Sequence, residues 1–395
     1  MKLFWALPIA SLVLVGCRDR SEAAAERAPF PFQIAIVTAE GFEGGDGARG
    51  AEELIRRYGR APEGLIRHIS FPSGAGVLQE PHLSNLARLA VDPGIRAIVL
   101  CPAVPGTAEL FSRIRTGRPD ILLFAGEPQG ALLPIQAAAD LVVGRDFFAR
   151  GFTMSWAAKE LGARTFVHIS FPRHLSYETV GLHLQALEAA CKDLGLAFAA
   201  ETVPDPASPG GRSEAQRFIL EMVPRWILKY GADTAFFCTA DSLAEPLIRQ
   251  LLAHGGMLVE TDLPSPLLDY PEALGLELAT DAGDYPAILK RVERAVVDQG
   301  GASRFGTWAY GQCYAVTAGL GELAKRTIGA GVSHLDFQGF KDCLAAYTPG
   351  TQWRVEPYVD PATGVRARNH FLIYTDTFIM GRGYLPTTRL RTGNR

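Results

Sequence analysis

Arg164-Thr-Phe-Val-His-Ile-Ser-Phe-Pro-Arg-His-Leu-Ser-Tyr-Glu-Thr-Val-Gly181 is the stretch on which the fold turns. Thr165 to Ile169 reads as a buried strand and Ser170 to His174 as a turn. A helix follows, with Leu182, Leu184, Leu187 and Ala190 at helical spacing. Upstream, Phe147 to Leu161 reads as another helix, ended by Gly162. Helix, strand, turn and helix in this order mark the passage into a second lobe. The turn lies at the carboxyl end of a strand, where open α/β sheets bind ligands. Arg173 and His174 are placed there, beside a helix N-terminus suited to polar or anionic groups.

Working outward, strand and helix patterns alternate almost throughout, as in a doubly wound parallel sheet. The first half carries strand patterns at 33–38, 65–70, 97–101, 121–125 and 141–143; the second carries them at 165–169, 197–203, 234–238, 257–260 and 275–279. The halves can be superposed: Ile98 to Ala103 matches Ala235 to Ala240, and Ile121 to Glu127 matches Gly256 to Asp262. Each member of the second pair places an acidic residue just past a strand. A literal repeat, His-Ile-Ser-Phe-Pro at 68–72 and 168–172, falls on the second strand of one lobe and the first of the other, so it is no sign of duplication. Beyond Thr280 come helices at 284–297, 310–327 and 337–347, then strand patterns at 355–357 and 371–375. Three crossovers are expected. Lobe one is 32–148 with 282–345, and lobe two is 149–281 with 346–390.

With 395 residues, 48% of them hydrophobic, the chain can bury two full cores. A net charge of −3 leaves no basic surplus for nucleic acid. Lys2 precedes an apolar run from Leu3 to Val15, too short for a bilayer span, and Leu14-Val-Gly-Cys17 ends it. That ending resembles the lipobox of bacterial lipoproteins, which implies a lipoprotein signal peptide in 1–17 with Cys17 the lipid-attachment residue; 18–31 reads as a tether. Five further cysteines, at 101, 191, 238, 313 and 343, are an odd number without a CxxC and read as buried thiols.

Gly45-Asp-Gly-Ala-Arg-Gly50 has the form GxGxxG, but Thr38 lies too far ahead of Gly45 and the second strand ends in Ser70-Phe71 rather than an acidic residue. It reads as a flexible loop at the cleft. His168, inside an apolar strand, reads as a core histidine. No third ligand accompanies His168 and His174, so no metal is expected, and no cofactor. Glu127 and Asp241 read as hydrogen-bonding carboxylates rather than a catalytic pair, and no Gly-x-Ser-x-Gly, His-Glu-x-x-His or P-loop pattern occurs. The chain is therefore expected not to be an enzyme. Trp308 and Tyr310 sit where a crossover meets a long helix, either lining the cleft or packing between lobes.

The segment Phe147 to Val167 is similar to the first hinge crossing of type I periplasmic solute-binding proteins, and Gly311 to Lys325 to the helix after their second. Phe166 to Ser176 and the ending Asn369 to Asp376 resemble, more closely, an uncharacterised family of bacterial lipoproteins with this fold. The resemblance covers about residues 32 to 380 and implies an α/β protein of two doubly wound parallel-sheet lobes joined by a three-strand hinge. It implies ligand contacts at Phe42, Glu127, Arg173, Asp241 and Asp262; Phe171, His174 and Trp308 complete the candidate set. Ala240-Asp241 stands where many relatives carry Asn-Asp. The resulting expectation is a lipid-anchored solute-binding protein of the bacterial cell envelope, capturing a sugar, nucleoside or amino-acid derivative for an ABC importer. A lipoprotein that reports its ligand to a membrane partner is the alternative, and an enzyme is the third reading.

Overall fold

The protein is described by a computed structural model covering residues 30–41, 45–72, 78–129, 131–278, 281, 283–360 and 363–386. The chain begins with β1 (Gln33–Ala39), α1 (Asp46–Tyr58), β2 (Ile66–Phe71), α2 (Glu80–Ala87), β3 (Ile95–Cys101), α3 (Thr107–Gly117), β4 (Leu122–Gly126), α4 (Leu132–Ala138) and β5 (Leu141–Arg145). β1, β3, β4 and β5 are apolar on both faces because helices cover both sides of a parallel sheet. From β5 the chain passes at Asp146 into α5 (Phe147–Glu160), β6 (Thr165–Ser170), α6 (Pro172–Leu175), α7 (Glu178–Leu194), β7 (Ala197–Thr202), α8 (Gly211–Tyr230), β8 (Thr234–Cys238), α9 (Ala244–His254), α10 (Tyr270–Leu274) and α11 (Tyr285–Asp298). The Asp146 side chain caps α5 by accepting from the Ala149 N–H at 2.8 Å. The two His-Ile-Ser-Phe-Pro copies do lie on β2 and β6.

A short strand, β9 (Gly306–Thr307), leads to the long helix α12 (Gln312–Ala330), then α13 (Phe337–Ala345), β10 (Trp353–Val359), β11 (Arg366–Thr375), β12 (Thr377–Ile379) and β13 (Gly383–Leu385). The first sheet has the order β10-β11-β5-β4-β3-β1-β2, parallel except for the β10–β11 hairpin. The second has β7-β6-β8. Met257 bridges Ala235 of β8, and Leu258 bridges Phe305, so β9, β12 and β13 continue this lobe. The result is the expected pair of α/β lobes.

Two boundaries differ from expectation. Residues 285–305 belong to lobe two: Leu258 N–H donates to the Arg304 carbonyl and Gly306 N–H to the Leu258 carbonyl, each at 2.8 Å. β10 and β11 belong to lobe one, because β11 pairs in parallel with β5 from His370↔Val142 to Ile373↔Arg145. The crossings are therefore Asp146, the segment Trp308 to Gly311, and Asp376. A strand is expected at 275–279, but residues 275–278 instead follow a helix end. Gly275 adopts φ 66° as the C-cap of α10, and the Leu276 N–H reaches the Pro271 carbonyl at 2.8 Å. Leu274 ends α10 and Leu276 and Leu278 follow it; the three alternate like a strand and pack, partly buried, against the core.

The GxGxxG segment is the start of a helix rather than a flexible loop. Gly45 is its left-handed N-cap, at φ 83°. A Cβ on Gly50 would stand 2.7 Å from the Tyr314 carbonyl of α12, so the glycine lets α1 lie directly on that helix. All five cysteines after Cys17 are buried thiols. No helix among the described residues is long and apolar enough to cross a membrane. Cys17 and the leader lie outside the described residues.

Candidate functional site

The site is built where β4, β5 and α12 of lobe one meet the loop after Leu258 in lobe two. β4 ends in Gly126, and the next residue, Glu127, adopts φ 48°, a left-handed conformation that L-residues rarely take outside functional sites or turns. Its N–H is held by the Val143 carbonyl at 2.8 Å. This sets the carboxylate, 8% exposed, against the first turn of α12, where Gln312 Nε2 donates to Oε1 at 2.5 Å. Gln312 is itself 1% exposed, and its Oε1 is a buried acceptor with no hydrogen-bond partner among the described residues.

Arg145, the last residue of β5, joins the two lobes. One guanidinium nitrogen stands 3.4 Å from Glu127 Oε2, and Nη1 donates to the Asp262 carbonyl at 3.0 Å. Asp262 is half-buried, and burial pushes its carboxyl above the usual range against the pull of Arg150, Arg145 and His174. Glu127 and Asp262 thus approach one place from opposite lobes, bridged by Arg145. Sequence reading passed over Arg145 and Gln312. The available signal was a lone Arg ending an apolar strand, Leu141-Val-Val-Gly-Arg145, and a Gln opening an apolar helix.

Beneath them lies a buried ion pair. Arg150 and Glu260 are each 1% exposed; Nε donates to Glu260 Oε2 at 2.9 Å and Nη2 to the Thr261 carbonyl at 2.5 Å. Thr377, at the third crossing, donates to the other Glu260 oxygen at 2.5 Å. The guanidinium also faces the Trp308 and Phe237 rings, 6.0 and 5.8 Å from their centroids.

The other expected residues are distributed unevenly. His174 Nδ1 is 2.9 Å from Thr239 Oγ1, and burial lowers the pKa of its ring. Phe171 is 2% exposed and stacks on His174 at 5.1 Å, so it supports that ring from the core. Arg173 does not reach Glu127. It is exposed and donates twice to Asp205, at 2.6 and 2.8 Å, and once to the Tyr177 hydroxyl, at 2.9 Å, all within lobe two. Asp241 is exposed and accepts from the Ser242 N–H at 2.8 Å. Trp308 does not line an open cleft: it is 1% exposed and packs edge-on against Trp353 at 5.9 Å, filling the second crossing. Phe42 lies outside the described residues. His168 is a core residue, 1% exposed, as expected.

The architecture resembles that of solved proteins at low sequence identity. A Clostridium difficile 630 protein assigned provisionally as a transcriptional regulator superposes with a TM-score of 0.78, at 19% identity, over 88% of this chain and 99% of its own. The substrate-binding protein of a sugar ABC transport system from Bordetella parapertussis 12822 does so with a TM-score of 0.51, at 11% identity, over 93% of this chain and 92% of its own. In sequence, an uncharacterized protein of Treponema pallidum (strain Nichols) is 43% identical over 209 residues, 53% of this chain and 94% of the relative. A second from the same organism is 36% identical over 208 residues, 51% of this chain and 94% of the relative. Residues 32–306 match the family described as protein of unknown function (DUF3798), and the chain belongs to that family.

Proposed function

We propose that this is a lipid-anchored extracytoplasmic solute-binding protein that closes its lobes around a small polar ligand and delivers it to an ABC importer. The observation that carries the reading is the meeting of Glu127, Arg145 and Gln312 of lobe one with the Asp262 loop of lobe two, where strands of both sheets end. A left-handed glutamate, a buried unpaired amide oxygen and a bridging guanidinium together offer acceptors and donors to a polar molecule. Closing over it removes these groups from water, and hydrogen bonds to charged groups contribute about 1.5–3 kcal/mol each. The likeness to the Bordetella sugar-binding component supports a sugar, with a nucleoside or an amino-acid derivative as the other classes. The leader ending at Cys17 supports the anchor and an envelope location.

Native mass spectrometry of the intact purified protein tests the reading. A small molecule is expected to be retained and then released on denaturation, and Glu127→Ala and Arg145→Ala are expected to lose it. A protein that retains nothing, and shows no compaction by X-ray scattering with sugars, nucleosides or amino-acid derivatives, would remove the proposal. Cys17→Ser is expected to free the protein from the membrane fraction; a wild type already soluble, with no acyl mass on its N-terminal peptide, would argue against the anchor.

A further inference from the structure

A second inter-lobe contact, beside Gly311 at the start of α12, is made by side chains other than those assigned to ligand. Asp46, in the first turn of α1, belongs to lobe one and is fully buried. Its carboxylate accepts from two side chains of lobe two. The Tyr285 hydroxyl donates to Oδ1 at 2.5 Å and the Ser265 hydroxyl to Oδ2 at 3.1 Å. Both donors are 1% exposed. On a third side lies Gly311, the N-cap of the nineteen-residue helix α12, at the second crossing. A Cβ there would stand 1.5 Å from Asp46 Oδ2, so the glycine admits the carboxylate to the positive end of the helix. The Tyr285 ring packs on Tyr314 at 4.5 Å and on Tyr310 at 5.4 Å, which aims its hydroxyl at the carboxylate. Burial and the adjacent Asp46 keep that phenol protonated, as a donor.

We propose that Asp46 is a ligand-independent pin that holds the lobes together and sets the balance between open and closed protein. This regulation of the cleft rests on the reading of the chain as a closing two-lobed binder. In the closed arrangement the carboxylate exchanges water for two hydroxyl donors and a helix terminus. Opening moves Ser265 and Tyr285 away with lobe two and returns the charge to water. A ligand binds the closed state only in proportion to its population, so a weakened pin lowers apparent affinity without altering any ligand contact.

The test uses the full-length protein without ligand, spin-labelled through R96C in lobe one and R217C in lobe two, both at exposed positions. Wild type is expected to give a compact inter-lobe distance distribution. Asp46→Ala should raise the open-to-closed ratio about tenfold, the equivalent of one hydrogen bond to a charged group. Tyr285→Phe and Ser265→Ala should move it the same way by less. Tyr285→Phe deletes one oxygen and decides the matter if Asp46→Ala does not fold. Wild-type distributions in the folded variants would overturn the pin. That result would leave ligand retention by the wild type untouched, whereas a wild type that retains nothing removes the binding reading, and with it the pin's role in ligand affinity, while leaving the measured inter-lobe contact in place.

Discussion

The buried pair Arg150–Glu260 gives the sharpest test of how the hinge is held. Arg150 lies one turn past the first crossing, Glu260 on the loop that carries Asp262, and Thr377 on the third crossing. Arg150→Met keeps the volume and removes the charge. It deletes the 2.9 Å bond to Glu260 and the 2.5 Å bond to the Thr261 carbonyl. Glu260, 1% exposed, is then a buried carboxylate with one hydroxyl donor, Thr377, still on it. Breaking one side of such a pair costs about 3–5 kcal/mol, while replacing both sides by apolar groups is often near neutral. Here the Thr261 carbonyl and Thr377 hydroxyl would also lose partners, at about 1–3 kcal/mol each when left buried and unsatisfied.

Arg150→Met alone is therefore expected to destabilise by about 3–5 kcal/mol. At about 2–4 °C per kcal/mol for a lobe of this size, its transition falls by roughly 6–20 °C. Arg150→Met with Glu260→Leu should recover part of that loss, since the uncompensated charge is gone. Urea denaturation followed by far-ultraviolet circular dichroism, with calorimetry of each variant, measures both. A single variant within about 1 kcal/mol of wild type, or a double variant no better than the single, would refute the reasoning, because either result means that Glu260 is not left as an isolated buried charge.

Two further predictions follow from the same contacts. Burial holds His168 and His370 at about 4, below the ordinary 6.5, so the stability due to their neutral forms is complete above pH 6.5 and is lost as pH falls toward 4, by roughly 3 kcal/mol for each. Chemical denaturation at pH 7 and 4.5 should show the loss, and His370→Phe should flatten it; an unchanged slope would mean that the ring near Tyr358 meets water. Arg173→Ala, which removes an exposed ion pair with Asp205, is expected to leave both the melting temperature and ligand retention near wild type, while Arg145→Ala loses the ligand. Loss of retention in Arg173→Ala would return that residue to the site.

Much of the fold was legible because parallel α/β architecture writes itself locally. Ile98 to Cys101, Thr165 to Ile169 and Thr234 to Cys238 are apolar runs between helical periods, and each became a strand. Pairing across the chain left no such mark. Phe371 and Ile373 look alike whether β11 joins β5 or the second sheet, because the sheet face each buries is apolar in both cases. The lobe boundaries after residue 281 were misplaced for that reason. Leu274 to Leu278 misled differently, since a helix C-cap followed by half-buried leucines alternates as a strand does.

The candidate site divides along the same line. Glu127 and Asp262 could be placed at the sheet ends because an acidic residue just past a strand has to sit there, whatever the sheet's neighbours are. Arg173 was placed by the same rule, but Asp205, thirty-two residues on, lies close enough to take its guanidinium. Which partner a charged side chain takes depends on three-dimensional distance, and at 2.6 Å a local carboxylate outcompetes a distant one. Arg145 and Asp46 show the converse. Each looked ordinary in sequence, one ending a strand and the other inside a glycine motif that resembled a nucleotide loop. Their roles come from what the fold brings to them from the other lobe, the Asp262 carbonyl in one case and Tyr285 with Ser265 in the other. Groups that hold two lobes together must find partners far off in the chain, so pattern reading finds the lobes before it finds what holds them together.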